Sequence, residues 1–441
     1  MKYDIGIIGG GPAGYTAAFK AARNGYSVIL FEAAEVGGTC LNEGCIPTKA
    51  LIQSTHVYQE TKEGALFGIK AEGVSFDAEE VLKRKDAVVE KLRNDLMRSF
   101  KALKITLIHG FAKLQDAHTV VVEEESYEAE YIIIAAGSVV SCPPIKGIEN
   151  ANVITSREFL RENHLNHEKI VIIGGGVIGV ECATIYAGFH KQVTIIEMTD
   201  RLLPTMDAEL GKRLAVSLKK QGVESVTSAS VQQITDHSVI YCDKKGNQME
   251  KEADIVLVAT GRKANLSFMH EEFPLKRNRG IQSDEDYRTN FENIFVIGDV
   301  RDGNVQLAHV AESQGENVID IIMKREKTVD DRLIPSCVYT ANEIASVGLS
   351  LSEAEVRGIQ AGEKKILSGT NGRYLIENGE SGFVKVVYDE EERIIGAQLF
   401  CLHATELISE FSVAIAQKMT LADFRSVMHP HPTLSEMLNK Y

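Results

Sequence analysis

One pattern occurs twice in this chain, and each occurrence demands a strand, a tight turn and a helix in that order. Ile5-Gly6-Ile7-Ile8 runs into Gly9-Gly10-Gly11-Pro12-Ala13-Gly14, a helix pattern follows from Tyr15 to Asn24, and a strand over Ser27 to Phe31 delivers Glu32, eighteen residues after Gly14. Ile170-Val171-Ile172-Ile173 then runs into Gly174-Gly175-Gly176-Val177-Ile178-Gly179, a helix follows, and a strand over Val193 to Ile196 delivers Glu197, again eighteen residues on. Each part has a reason. The first glycine makes the turn, the second lets a pyrophosphate approach the backbone, the third lets the helix pack, the helix dipole faces the anion, and the acid accepts from a ribose hydroxyl. A single glycine turn is a weak signal, but two with both acids at matched spacing predict two dinucleotide sites. Glu197 selects NAD over NADP at the second, because a carboxylate repels a 2'-phosphate.

At 441 residues the chain exceeds one ordinary core, so several domains are expected. A formal charge of -14 argues against nucleic acid or an anionic membrane surface as the main partner. No apolar run reaches the length of a membrane span, and the N-terminus enters a strand at once with no room for a signal peptide, so a cytoplasmic enzyme is expected. Seven cysteines in so long a chain do not make a disulfide scaffold.

Between and after the two fingerprints the pattern changes twice. Residues 77–104 read as a long amphipathic helix with Val81, Val88, Leu92 and Leu96 on one stripe. Strands are expected at 105–108, 119–123, 131–135, 256–259 and 294–297, with a crossover and domain boundary at Gly137 and Pro143-Pro144. Gly298-Asp299 ends the last of these, where a carboxylate suits a polyol hydroxyl. Beyond Arg332 the pattern alternates as in an antiparallel sheet, with a helix from about Thr405 to Lys418. The fold class is therefore α/β, with two Rossmann-like dinucleotide-binding domains followed by an α+β C-terminal domain.

Gly37-Gly38-Thr39-Cys40-Leu41-Asn42-Glu43-Gly44-Cys45-Ile46-Pro47-Thr48-Lys49 places two thiols five positions apart. The spacing reads as a redox pair on one helical turn at a helix N-terminus, where a thiol's pKa falls toward the thiolate that exchange chemistry needs. A buried structural disulfide is the alternative for such a pair taken alone. Zinc is not implied, since no second Cys or His pair follows at ligand spacing. The tail adds His429-Pro430-His431-Pro432-Thr433-Leu434-Ser435-Glu436, in which a histidine near neutral pKa could carry the thiol proton and Glu436 could orient its ring.

Together these motifs resemble the pyridine nucleotide-disulfide oxidoreductases of class I, over nearly the whole chain, and within that family most resemble the dihydrolipoyl dehydrogenases. The resemblance rests on residues 37–49, 174–181, Ala259 to Gly261, Gly298-Asp299, Leu307-Ala308-His309 and 431–436. It implies FAD in residues 1–142, NAD in 143–262, a central domain over 263–331 that completes the FAD site, and a C-terminal domain over 332–441 through which two subunits pair. It implies Cys40 as the thiol that exchanges with substrate, Cys45 as the thiol against the flavin, and His431 with Glu436 reaching in from the other subunit of a homodimer. It further implies a Lys49–Glu181 pair beside the flavin, Ala308 opening a helix aimed at the flavin pyrimidine, and Ala112 at the adenine. Thr39, Gly137, Asp299 and Gly261 complete the cofactor contacts. The substrate it implies is a dihydrolipoyl group, free or on a carrier protein of a 2-oxo acid dehydrogenase or glycine cleavage complex. An NADH-dependent reductase of another small disulfide, and a flavoprotein redox sensor or complex subunit, are the alternatives. Departures from the family pattern are Met198 and Pro204 where NADPH-using relatives carry arginine, Val177 where some carry a tyrosine gate, and Ala136 and Asn342 with no function attached.

Overall fold

The computed structural model describes residues 2–269 and 273–439. β1 (Lys2–Ile8), β2 (Val28–Glu32) and β3 (Thr106–His109) run parallel, while β4 (Ala112–Leu114), β5 (Thr119–Val122) and β6 (Glu125–Ile134) form an antiparallel meander whose last strand pairs with β1. Alternate residues enter different cores: Ile5, Ile7 and Leu30 pack with Ala17 and Ala21 of α1 (Pro12–Arg23), and Ile8, Ile29 and Phe31 pack on the opposite face. Burial on both faces is why these runs are apolar throughout instead of alternating.

The cysteine segment bridges the strands to the helices. α2 (Gly38–Glu43) and α3 (Cys45–Lys62) are separated by Gly44, and α4 (Ala78–Ala102) begins after the cap Asp77, whose carboxylate accepts from the Glu79 and Glu80 amides. The α4 stripe agrees with the expected one at Val81 and Leu96, which pack against the cores, and departs from it elsewhere. Val89 and Phe100 are enclosed, together with Lys85, while Leu92 lies exposed. Lys85 belongs to the buried face because its Nζ reaches the Leu160 carbonyl and pairs with Asp86, which apolar periodicity cannot register.

After β7 (Ser138–Val140) the second fingerprint builds its own sheet from β8 (Val153–Thr155), β9 (Lys169–Ile173), β10 (Gln192–Ile196), β11 (Glu224–Val226) and, past the antiparallel trio β12 (Ser230–Ile234), β13 (Ser238–Cys242) and β14 (Gln248–Glu252), from β15 (Ile255–Val258). All neighbours in that sheet are parallel, with α5 (Ser156–Arg161), α6 (Val177–Gly188) and α7 (Ala208–Lys220) between strands. β16 (Arg262–Ala264) then pairs antiparallel with β7, and β17 (Ile294–Val296) pairs with the C-terminal half of β6, so the chain returns to its first sheet. α8 (Ala308–Ile322) packs on α1 so closely that a Cβ on Gly315 would lie 2.6 Å from the Ala13 carbonyl oxygen.

The C-terminal part is a five-stranded antiparallel sheet, β18 (Ser336–Val338), β19 (Glu343–Gly348), β20 (Ala361–Leu367), β21 (Phe383–Asp389) and β22 (Ile394–Cys401), ordered β18-β19-β22-β21-β20. The helix Ala404–Ala416 covers it through Leu407, Ile408 and Phe411. Asn342, buried just before β19, accepts from the Tyr374 hydroxyl at 2.8 Å, which gives that position a structural role. Among the described residues no helix is long and apolar enough to cross a membrane.

Candidate active site

A cavity of about 1490 Å³ is lined by both glycine turns, the cysteine segment and the start of α8. A pocket for one small ligand measures roughly 300–1,000 Å³, so this space suits two extended molecules. Its glycine walls are built alike. A Cβ on Gly14 would meet the Gly9 carbonyl oxygen at 1.9 Å and one on Gly179 would meet that of Gly174 at 2.0 Å, so any larger residue would push the helix off its turn. By contrast a Cβ on Gly176 would meet nothing within 4 Å and one on Gly11 only Gly38 Cα at 3.7 Å, which leaves room for a pyrophosphate to touch the backbone.

The two acids are pinned in the same way. Glu32 accepts from the Gly10 amide at 2.7 Å and the Ala34 amide at 2.9 Å; Glu197 accepts from the Gly175 amide at 2.6 Å and the Thr199 amide at 2.7 Å. A carboxylate offers about four lone-pair directions, so each still has capacity for a ribose hydroxyl. Met198 is exposed beside Glu197, and Pro204 lines the cavity where arginines would serve a 2'-phosphate. Val177 also lines it and is 37% exposed. The glycine clearances, the pinned acids and the cavity size fit dinucleotides at both turns.

The thiols are not on one helical turn, as their spacing suggested. Gly44, at φ −145° and ψ −112°, breaks the helix, so Cys40 lies in α2 and Cys45 occupies the first position of α3. Close packing explains the break: a Cβ on Gly44 would sit 2.8 Å from the Thr39 carbonyl oxygen. Both cysteines are free thiols here and hydrogen-bond to each other. The hydrogen bond from Cys40 and the charge of Lys49 hold the Cys45 thiol down at about 7, although burial opposes them. The same hydrogen bond and burial push Cys40 upward. The shared proton therefore stays on Cys40 and the negative charge on Cys45.

Lys49 follows Cys45 by one turn of α3, on the same face. Its Nζ donates to both Glu181 oxygens, at 2.8 and 2.9 Å, and lies 4.6 Å from the Tyr339 ring centroid. Glu181 is buried on α6 and also accepts from the Tyr339 amide at 3.1 Å. Burial works to lower the lysine's pKa, but Glu181 outweighs it and the net shift is upward, so the pair is ionic.

Sequence reading missed a bridge between the two halves of the cavity. The Arg262 guanidinium donates to the Ser138 hydroxyl and carbonyl, both at 2.8 Å, and to the Thr39 hydroxyl at 3.2 Å; Ser138 in turn donates to Asp299 at 2.6 Å. Burial raises the Asp299 carboxyl above its usual range, against the pull of Ser138 and Arg262. Arg262 directly follows Gly261, and that adjacency was the only signal. Ala112, Gly137, Gly261 and Ala308 all line the cavity as well. Glu43, within the cysteine segment, pairs with Arg157 and Arg161 of α5 at 3.0 and 2.8 Å.

His431 and Glu436 are brought together but do not line this cavity. Nδ1 of His431 meets Glu436 Oε2 at 2.9 Å, and the imidazole is 78% exposed. His429 instead meets Glu410 at 3.0 Å. Among the described residues no group of three or more His, Cys, Asp or Glu is placed to hold a metal ion.

Comparison with known proteins agrees with this geometry. The family model described as pyridine nucleotide-disulphide oxidoreductase matches residues 3–315, and that for the family's dimerisation domain matches 334–441. A dihydrolipoyl dehydrogenase of Bacillus subtilis is 35% identical over 461 residues, covering 100% of this chain and 97% of its own. One from Geobacillus stearothermophilus is 36% identical over 447 residues, covering 98% and 93%. The solved HOCl-induced flavoprotein disulfide reductase RclA of Escherichia coli, as its Cu(II) complex, superposes with a TM-score of 0.89 at 28% identity, covering 100% of this chain and 98% of its own. The matched fingerprints, the paired thiols and family models spanning almost every residue make the chain a member of the pyridine nucleotide-disulphide oxidoreductase family, whose enzymes work with FAD and NAD(H).

Proposed function

We propose that the chain is a dihydrolipoyl dehydrogenase, oxidising dihydrolipoyl groups to lipoyl while NAD is reduced. The observation that carries this reading is the thiol pair in the cavity wall, its charge drawn to Cys45 by Lys49, between two dinucleotide cradles. FAD, when bound along Gly9, Gly11, Gly14, Glu32, Thr39 and Asp299, supplies the coupling between a two-electron thiol oxidation and hydride transfer.

With the enzyme pair oxidised, one substrate thiol gives its proton to His431 and attacks Cys40, and Cys45 leaves as a thiolate beside Lys49. The second substrate sulfur then attacks the first. The substrate's cyclic disulfide closes as Cys40 departs with the proton held by His431, the imidazole takes the second substrate thiol's proton in its place, and two electrons remain on the enzyme as the Cys40 thiol and Cys45 thiolate. Glu436 occupies Nδ1 of the imidazole, which leaves Nε2 for the substrate proton and stabilises the imidazolium. Exposure of His431 and its absence from its own cavity support a homodimer in which it serves the partner's thiols. In that reading 1–142 and 263–331 hold FAD, 143–262 hold NAD, and 332–441 pair the subunits. Reduced thiols of this kind suit the cytoplasm, and a carrier protein of a 2-oxo acid dehydrogenase or glycine cleavage complex would present the substrate.

A second reading, an NADH-dependent reductase of another small disulfide, is favoured by the likeness to the flavoprotein disulfide reductase of Escherichia coli. Purified protein should be assayed with NAD and dihydrolipoamide, and with NADH against a panel of disulfides. Efficient NAD reduction supports the first reading; activity confined to NADH with another disulfide would replace it with the second.

A further inference from the structure

To take a proton at a fixed place the His431 imidazole must be held, yet it is 78% exposed, so packing does not orient it. Glu436 meets its Nδ1 at 2.9 Å, but both residues ride on the same tail, and the tail must itself be fixed to the domain. Pro430 and Pro432 set their own φ, and Pro432 restricts the His431 backbone before it, so residues 430–432 behave as one stiff unit. Thr433 closes that unit, since its hydroxyl donates to the Pro430 carbonyl at 2.7 Å. The Thr433 carbonyl in turn accepts from Nδ2 of Asn371 at 3.0 Å.

Asn371 is fully enclosed and both ends of its amide are used. Its Oδ1 accepts from the Tyr374 amide at 2.9 Å, capping the short helix Gly372–Ile376, and its backbone amide donates to the Ser368 carbonyl at 2.9 Å. Turning the side chain would leave a buried group unpaired. Tyr374 is itself buried in the C-terminal core with Leu434, Met437 and Leu438, and its hydroxyl reaches Asn342. Those three apolar anchors all follow Thr433, so they hold the far side of the tail and not the side that carries His431.

We propose that Asn371 and Thr433 are positioning residues for His431, a clamp between the C-terminal core and the tail that fixes where the imidazole stands when the substrate's thiol proton arrives. Without the clamp the 430–432 unit would swing about Thr433, and every encounter would first have to order it.

The inference rests on the reading of His431 as the proton acceptor for dithiol substrate, and the test separates the two. Oxidised holoenzyme is mixed with dihydrolipoamide, or with NADH, and reduction is followed by stopped flow, with the dimer checked by sedimentation. Asn371→Ser keeps an oxygen to cap the short helix but is too short to reach Thr433. It should slow the dihydrolipoamide step by about 10- to 100-fold, the scale of a displaced catalytic group, and leave the NADH step unchanged. In a His431→Ala background the same change should add less than about twofold, because a clamp matters only through what it holds. An unchanged dihydrolipoamide rate in Asn371→Ser, an equal slowing in both backgrounds, a slowed NADH step or loss of the dimer would overturn the inference alone. If Asn371→Ser does not fold, Thr433→Val, which removes only the hydroxyl tie to Pro430, replaces it. A slowing confined to the dihydrolipoamide step and absent beside His431→Ala then supports the clamp, and an unchanged rate overturns it. A His431→Ala enzyme as fast as wild type, or a wild type that dihydrolipoamide does not reduce, would overturn the reading of His431 and the inference with it.

Discussion

Replacing Lys49 by methionine tests the account of the thiol pair most directly. Lys49 and Cys45 are one helical turn apart, about 5–6 Å between side-chain origins. Unit charges at that separation and an effective dielectric of about 20 interact by about 3 kcal/mol, or about two pKa units. Glu181 opposes Lys49 at Cys45, so removing both charges should give a smaller change of about one unit. The sign follows from the direction of the shift. A thiol held down at about 7 keeps its thiolate above that pH and loses it as pH falls through it. Lys49→Met moves this loss upward, so the thiolate fraction at pH 7 should drop from about half to about one in a hundred. Lys49→Met combined with Glu181→Gln should stop about halfway on the pH scale. The assay is an anaerobic pH titration of the long-wavelength absorption that a thiolate gives against the flavin in two-electron-reduced enzyme; it should vanish in Cys45→Ser and persist in Cys40→Ser. A Lys49→Met midpoint at or below the wild-type value would refute the argument.

Steady-state kinetics should show preference for NAD(H), and Glu197→Ala should raise the NADPH-to-NADH ratio of kcat/KM by at least about tenfold, because a charge opposing the 2'-phosphate is gone. His431→Ala should slow reduction of the enzyme by dithiol by roughly 10² to 10⁴-fold while leaving the NADH half-reaction nearly unchanged. Mixing that variant with Cys40→Ser and allowing subunits to exchange should restore about a quarter of wild-type activity in stopped-time assays, since half the dimers then hold one intact shared site. Gly179→Ala should abolish NADH binding by calorimetry, because its Cβ would sit 2.0 Å from the Gly174 carbonyl oxygen, yet retain FAD by absorbance.

The parts of this architecture that were legible in sequence are those whose determinants lie close together. A glycine turn, its helix and the acid eighteen residues on form one local pattern, and β1, α1, β2 and β9, α6, β10 formed where it predicted. The spacing of Cys40 and Cys45 was local too, but the crowding that breaks the helix at Gly44 was not, because Thr39 presses on it only after folding. Lys49 and Glu181 are 132 residues apart, and only the family resemblance joined them. The tie between Asn371 and Thr433, 62 apart, carried no signal at all. β14 was missed because Gln248–Glu252 is polar on both faces and largely exposed, so it shows no alternation. Lys85 misled the α4 stripe for the opposite reason, as a charge satisfied inside.

The pairing of β7 with β16 brings the departure and return of the second nucleotide module to neighbouring positions. Val140 lies opposite Arg262, and the Ser141 amide donates to the Gly261 carbonyl at 3.0 Å. Opposed residues of antiparallel strands are about 5 Å apart at Cα, a gap that a two-residue turn spans. The intervening segment is thus a guest threaded through a narrow doorway in its host. A chain with that segment excised and the doorway closed by a short reverse turn could keep its first sheet intact, because β17 reaches β6 from the host's own sequence. Modular exchange at this doorway would replace the nicotinamide nucleotide's cradle, and the incoming module must then supply its own partners for Lys49 and Glu43, the places now filled by Glu181, Arg157 and Arg161.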